Sequence, residues 1–145
     1  MGVELYVANL LRVAKQDLDG ARSLVRDENR NAIYLCEQAA EKLLIAVLTS
    51  EQKHAGIRHQ LDQMVDQIPE ENPLKPGLRE LQDLARYATT YRYPTTGGKL
   101  APQPASNIVH EWIGRIEALV LECAKRFRVD LNAMDKPAGN VAPIR

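Results

Sequence analysis

The stretch NAIYLCEQAAEKLLIAVLTSE, from Asn31 to Glu51, constrains this chain more than any other, because its apolar residues recur at helical spacing with no Pro or Gly to interrupt them. Ile33, Cys36, Ala40, Leu43 and Val47 follow a 3-4-3-4 rhythm, and Leu44 and Leu48 broaden the stripe into a face that several neighbours must cover. The spacing predicts one long central helix. Ala39 and Ala46 fall on another side of it, where small side chains permit close approach by a further helix or by a second copy of the chain.

Other segments repeat the pattern. Val3 to Arg26 carries Leu11, Ala14, Leu18, Ala21 and Val25 on one stripe, so it reads as an amphipathic helix. The short polar link Asp27 to Arg30 makes it an antiparallel neighbour of the central helix, with Asn29 or Asn31 as N-cap. A shorter third helix is expected over Ile57 to Ile68, stopped by Pro69. Leu78, Leu81, Ala85 and Ala88 define a fourth, ending near Tyr91 and with Pro76 placed to start it. Ser106 is read as the N-cap of a last helix, in which Val109, Ile113, Ile116, Val120, Cys123 and Phe127 repeat at 4-3-4-3-4.

Between these helices, Tyr93 to Ala105 holds three prolines and two adjacent glycines and reads as a long loop of the sort that often carries function. Residues 129–145 lose periodicity and read as a flexible tail after a domain over residues 1–128. No strand-like alternation occurs. The expected fold is all-α, an up-and-down four-helix bundle with one additional short helix.

A chain of 145 residues, 45% of them hydrophobic, can bury a core of its own. Lys plus Arg equals Asp plus Glu at 19 each, which gives no overall basic field for nucleic acid, so any such binding needs a local patch. Cys36 and Cys123 fall on apolar stripes and read as reduced core thiols. With no secretory segment and no apolar run near the roughly 20 residues that span a bilayer, the sequence points to a cytoplasmic protein with no membrane association.

Two segments together resemble a known family. YLCEQAAEKLLIAVL at Tyr34 to Leu48 is similar to the QAAEKxLKA helix of HEPN domains, and LARYATTYRYP at Leu84 to Pro94 to their later helix ending in an RYP turn. Between them, GIRHQLDQMV at Gly56 to Val65 resembles the His-x-Leu start of the family's third helix. The resemblance runs from about residue 5 to 127 and implies a small helical bundle that commonly dimerises, here a C2 homodimer.

Many members of that family are ribonucleases with an Arg followed, after four to six residues, by a His. Arg86 matches the Arg, but the positions for the His hold Tyr91, Arg92 and Tyr93. A phenol with a free pKa near 10 is a poor proton carrier at neutral pH. The resemblance therefore implies a non-catalytic nucleotide-binding or partner-binding module, acting with a separate minimal nucleotidyltransferase in a toxin–antitoxin type pair. The alternative is a divergent, metal-independent ribonuclease with its site around Arg86 and RNA as substrate.

In the module reading Arg86, Arg92 and Lys99 form a phosphate-facing basic group, and Tyr91 or Tyr93 stacks on a base. The bland alternatives are that the arginines pair with carboxylates on adjacent helices and that the tyrosines pack at a helix end. TTGGK, Thr95 to Lys99, has adjacent glycines that can turn amides toward an anion, but it lacks the Walker spacing and reads better as a plain loop. No cofactor is expected and no metal site: Glu37 and Glu41 stand one turn apart, but no Glu-x-x-His accompanies them, and they read as partners for Arg or Lys on a neighbouring helix. His59 is taken for a packing or capping residue, His110 for a surface one, and Trp112 and Phe127 for core or dimer contacts.

Overall fold

The computed structural model describes residues 2–56, 60–88 and 91–145. Among them α1 (Val3–Arg26), α2 (Asn31–Ser50), α3 (Leu61–Asp66), α4 (Lys75–Glu80) and α5 (Ser106–Phe127) are α-helical, and Leu81–Tyr87 is a 3-10 segment that continues α4. The described chain is all-helical, with no strand and 61% helix. The long helices α1, α2 and α5 pack on one another as a bundle, and α3, α4 and the 3-10 segment close it along α2.

The predicted stripes are the buried ones. Leu11, Ala14, Leu18 and Ala21 on α1, Ile33, Cys36, Ala40, Leu43 and Val47 on α2, and Ile116, Cys123 and Phe127 on α5 are essentially inaccessible. α1 and α2 make the largest interface of the fold. A Cβ on Gly20 would come within 3.0 Å of Leu35 Cδ1, so the missing side chain lets the two backbones close together. Ala39 and Ala46 are fully buried within the chain itself. Their side of α2 is covered by the chain's own helices, so these alanines offer no surface to a second copy. Burial pushes the thiols of Cys36 and Cys123 up to about 12, and both are free cysteines in the core.

At the turn into α2 the N-cap position is Arg30. Asn29 acts from one residue earlier, its Oδ1 accepting the Asn31 N–H at 2.9 Å. α5 begins at Ser106, with Ala105 as an extended N-cap that gives no side-chain bond, so Ser106 is the first helical residue rather than the cap. Pro76 is the second residue of α4, one place after the first helical position expected for it. The fourth helix is shorter than the sequence suggested, because its second half tightens to 3-10 geometry. Leu78, Leu81, Leu84 and Tyr87 are the buried residues there, a spacing of three that suits 3.0 residues per turn. The start of the expected third helix, Ile57 to His59, lies outside the described residues, so the reading of His59 does too.

Residues 129–145, which composition marks as a flexible tail, lie packed against the bundle. α5 ends on Arg128 in a left-handed conformation (φ 54°), and the Val129 N–H returns to Ala124 O at 2.8 Å. The tail then donates to the last carbonyls of α5, Gly139 N–H to Arg128 O at 3.0 Å and Asn140 N–H to Phe127 O at 2.9 Å. A Cβ at Gly139 would sit 2.9 Å from Arg128 Cβ, so this return requires glycine. Arg12, buried on α1, donates Nε and Nη2 to Asp130 O and Nη2 also to Lys136 O. Farther along, Ile144 is buried and Arg145 reaches both carboxylate oxygens of Glu51. These bonds are made by side chains remote in sequence, which local composition cannot reveal.

Candidate functional site

Of the residues singled out from the sequence, Tyr91, Arg92 and Tyr93 follow the 3-10 segment, and Arg92 meets the start of α2. Tyr91 stacks on Tyr87 with ring centroids 5.1 Å apart and planes 30° from parallel. Since Tyr87 is buried, that stack roots Tyr91 in the core as a brace. Arg92 turns the other way. Its Cζ lies 4.3 Å from the centre of the Tyr34 ring on α2 and 5.7 Å from that of Tyr93. Tyr93 remains 63% exposed, with its ring available to a planar ligand.

Arg86 is exposed on the 3-10 segment, its Nε donating to Asp83 O at 3.3 Å and its Cζ 5.7 Å from the Tyr87 ring. Among the described residues neither Arg86 nor Arg92 makes an ion pair, so the carboxylate partners that would have made them purely structural do not occur. Several arginines elsewhere behave differently. Arg22 sits on Glu117, Arg79 on Asp66, Arg115 on Glu111 and Arg126 on Glu122. At this end the guanidinium charge rests on aromatic rings and stays uncancelled.

Lys99 lies in the loop, and the loop explains its own glycines. Thr95 N–H donates to Lys99 O at 2.7 Å, Gly98 N–H to Thr95 O at 2.8 Å, and Lys99 N–H to Thr95 Oγ1 at 3.2 Å. Gly98 takes φ +83°, which a β-carbon would strain. These three amides are spent inside the turn, so TTGGK is not arranged as an anion cradle. Arg30 Nη1 donates to Ala101 O at 3.1 Å and Gln103 Nε2 to Glu28 O at 3.0 Å, which tie the segment after Lys99 to the same α1–α2 turn that leads into Tyr34.

One turn along α2 from Tyr34 stands Glu37, only 4% exposed. Gln38 Nε2 donates to Glu37 Oε2 at 2.9 Å and to Glu41 Oε2 at 3.3 Å. Among the described residues the hydrogen-bond partner of Glu37 is thus an amide of its own helix rather than a cation on a neighbouring one. Burial pushes the Glu37 carboxyl above the usual carboxylate range, with the Gln38 bond pulling it partly back and the Glu41 charge adding to the rise. Glu37 lines a cavity of about 290 Å³ with Gln60, Leu61, Asp62, Ala85 and Ala88. No group of three or more His, Cys, Asp or Glu suited to a metal occurs among the described residues.

The two histidines among the described residues lie elsewhere. His54 lines an open groove between the start of α1, the end of α2 and residues 141–143, and His110 sits with Asp19, Arg22 and Arg26 on the outer face of α1 and α5. Trp112 is half-buried with Arg115 Cζ 5.2 Å from its ring centre, and Phe127 is core.

With a helical bundle whose second helix, 3-10 segment and RYP turn meet at one end, the match of the HEPN domain model to residues 7–126 decides the family. The chain belongs to the HEPN domain family. No curated protein and no solved structure matches it. A HEPN domain is a module of nucleotide-binding or ribonuclease type, and in this one no helix among the described residues is long and apolar enough to cross a membrane. Sequence reasoning missed Tyr34 as the seat of Arg92, and missed Glu37 as a cavity residue. Both lie inside the family's helix motif, at the edge of its apolar stripe, where a large or charged residue signals a contact across the edge.

Proposed function

We propose that this HEPN domain is a non-catalytic nucleotide-binding module in which Arg92, with Arg86 and Lys99, holds the phosphate and Tyr93 stacks on the base. The observation that carries the reading is the Arg92 guanidinium seated on Tyr34, with no carboxylate against it among the described residues. A guanidinium fixed on a ring keeps its in-plane N–H fork free for a phosphate and loses little freedom on binding. Lys99 adds a point charge from a loop tethered to the same turn by Arg30. Tyr91 serves as the brace under the site through its stack on Tyr87.

Catalysis is left out of the reading because the family's His positions hold Tyr91, Arg92 and Tyr93. The module works as a homodimer beside a separate minimal nucleotidyltransferase, in a toxin–antitoxin type pair, and supplies binding while its partner supplies chemistry. A gene for such an enzyme next to this one supports the pairing, and a dimer mass by light scattering supports the assembly.

Calorimetry at low salt with a panel of nucleoside monophosphates and a short RNA is the direct test. The expected result is binding that weakens as salt rises and is lost in Arg92→Ala with the helical circular dichroism unchanged. Absence of binding by every member of the panel removes the reading and leaves a protein partner as the remaining role. Metal-independent RNA cleavage that disappears in Arg86→Ala replaces it with the ribonuclease alternative.

A further inference from the structure

The loop that carries Lys99 begins and ends on the same stretch of α2. At its start the Arg92 guanidinium carbon lies 4.3 Å from the centre of the Tyr34 ring, and at its end Arg30 Nη1 donates to Ala101 O at 3.1 Å. Arg30 is the N-cap residue of α2, and Tyr34 stands one helical turn after it. A second bond seals the far end, Gln103 Nε2 donating to Glu28 O at 3.0 Å in the turn between α1 and α2. Residues 92–101 are therefore an Ω-shaped excursion whose two ends are tied to neighbouring turns of one helix, a type of loop that often carries function.

The stretch between those ties is exposed at every residue from Tyr93 to Leu100, so it buries no side chain that would hold it to the bundle. Its internal bonds, Thr95 N–H to Lys99 O and Gly98 N–H to Thr95 O, fold the tip onto itself. The place of the tip on the bundle is then set by the two ends. Lys99 stands two residues before Ala101, and with consecutive Cα atoms about 3.8 Å apart the two Cα atoms lie within about 8 Å. The bond between Thr95 and Lys99 turns Lys99 back toward Thr95, three residues after Arg92. The tie at Ala101 thus decides whether Lys99 returns beside Arg92 or swings away with the loop.

Resting on the phosphate-binding reading above, we infer that Arg30 is a positioning residue of that site: it latches the end of the loop at Ala101, with Gln103 as the second latch, and so brings the Lys99 ammonium to a phosphate held by Arg92. A loop released at one end loses conformational entropy when it closes on a ligand, and the latch removes that cost before the ligand arrives. The effect falls on Lys99, because Arg92 has its own seat on Tyr34 at the other end of the loop. Arg30 acts on the ligand through the backbone of Ala101 and not through its own charge.

Calorimetry at low salt with adenosine, guanosine, cytidine and uridine monophosphates tests this as a double-mutant cycle. Lys99→Ala is expected to weaken binding about fivefold, the upper end for one exposed charge pair. Arg30→Ala and Gln103→Ala are each expected to weaken it by at most that factor, and neither is expected to weaken it further when Lys99 is already alanine. Gln103 is uncharged and exposed, so its loss takes no charge from the site and leaves the core alone. If Arg30→Ala weakens binding as much in the Lys99→Ala protein as in the wild type, Arg30 touches the ligand or only supports the fold, and the latch is overturned. Unchanged binding in both latch variants, or in Lys99→Ala, also overturns it and leaves the Arg92 site standing. No binding by any of the four nucleotides to the wild type removes the phosphate site and the latch with it.

Discussion

The guanidinium carbon of Arg92 lies 4.3 Å from the centre of the Tyr34 ring, so a residue of the RYP turn is fastened to the first turn of the central helix by a cation–π contact. Both ends of that contact belong to segments that define the family, and it joins them across the gap between α2 and the loop. Its partner is a ring rather than an acid, which fixes the arginine while leaving its charge unspent. A carboxylate in the place of Tyr34 would hold Arg92 equally well and extinguish the field that a phosphate needs.

The first prediction concerns that contact. Because Arg92 is exposed, the pair is worth about 0.5–1 kcal/mol. In urea unfolding, Tyr34→Leu and Arg92→Met are expected to couple by that amount in a double-mutant cycle, since neither leaves a buried charge behind. Tyr34→Phe is expected to keep the coupling. An additive cycle shows that the ring does not hold the guanidinium.

The second concerns the tail. Arg12 is 6% exposed and is the donor to Asp130 O and Lys136 O, so Arg12→Ala leaves two carbonyls without their partner and unpins the segment that covers the end of α5. Stability is expected to fall by about 2–3 kcal/mol, the range for hydrogen bonds made by a charged group. Limited proteolysis checks the location of the damage. Cleavage is expected to appear within residues 129–145 in the variant while α1, α2 and α5 remain protected, and uniform cleavage across the chain argues against a local staple.

The long helices were legible because their information is periodic and local: twenty or more residues repeat a stripe, and burial follows it. The fourth helix was misread where two periods compete. Ala85 and Ala88 complete a 3.6-residue pattern with Leu81, but the larger Leu84 and Tyr87 complete a pattern of three, and their burial wins over the alanines. The tail was illegible for another reason, since Gly139 reads as a breaker until Arg128 is seen beneath it. At the candidate site Arg92 and Tyr93 were found from a motif, whereas Tyr34 and Glu37 acquire meaning only when the 3-10 segment and the loop are laid against α2. Their partners are more than twenty residues away in sequence.

The last prediction follows from Glu51, a carboxylate at the end of α2 that holds three segments together. Asn72 Nδ2, itself fully buried, donates to Glu51 Oε2 at 2.9 Å, and Arg145 Nη1 and Nη2 reach Oε2 and Oε1 at 2.8 and 3.1 Å. Burial alone pushes the Glu51 carboxyl up, but the hydrogen bonds from Arg145 and Asn72 together outweigh it and hold the carboxyl below its ordinary value. A carboxylate with a lowered folded-state pKa binds its proton more readily when unfolded. Its contribution to stability is therefore complete above the unfolded value of 4.5 and is lost as pH falls through the folded one. Asn72→Ala removes one of the bonds that lower the pKa and also the Oδ1 acceptor of the Leu74 N–H, so it is expected to cost about 2 kcal/mol at pH 7. Glu51→Gln keeps the shape and removes the charge. The expected stability gap between wild type and Glu51→Gln is constant from pH 8 to 6 and narrows below pH 4.5, because wild-type Glu51 then becomes neutral as well. Denaturant unfolding across that range reads the gap directly, and a gap that widens as pH falls shows that the carboxylate does not carry the clamp.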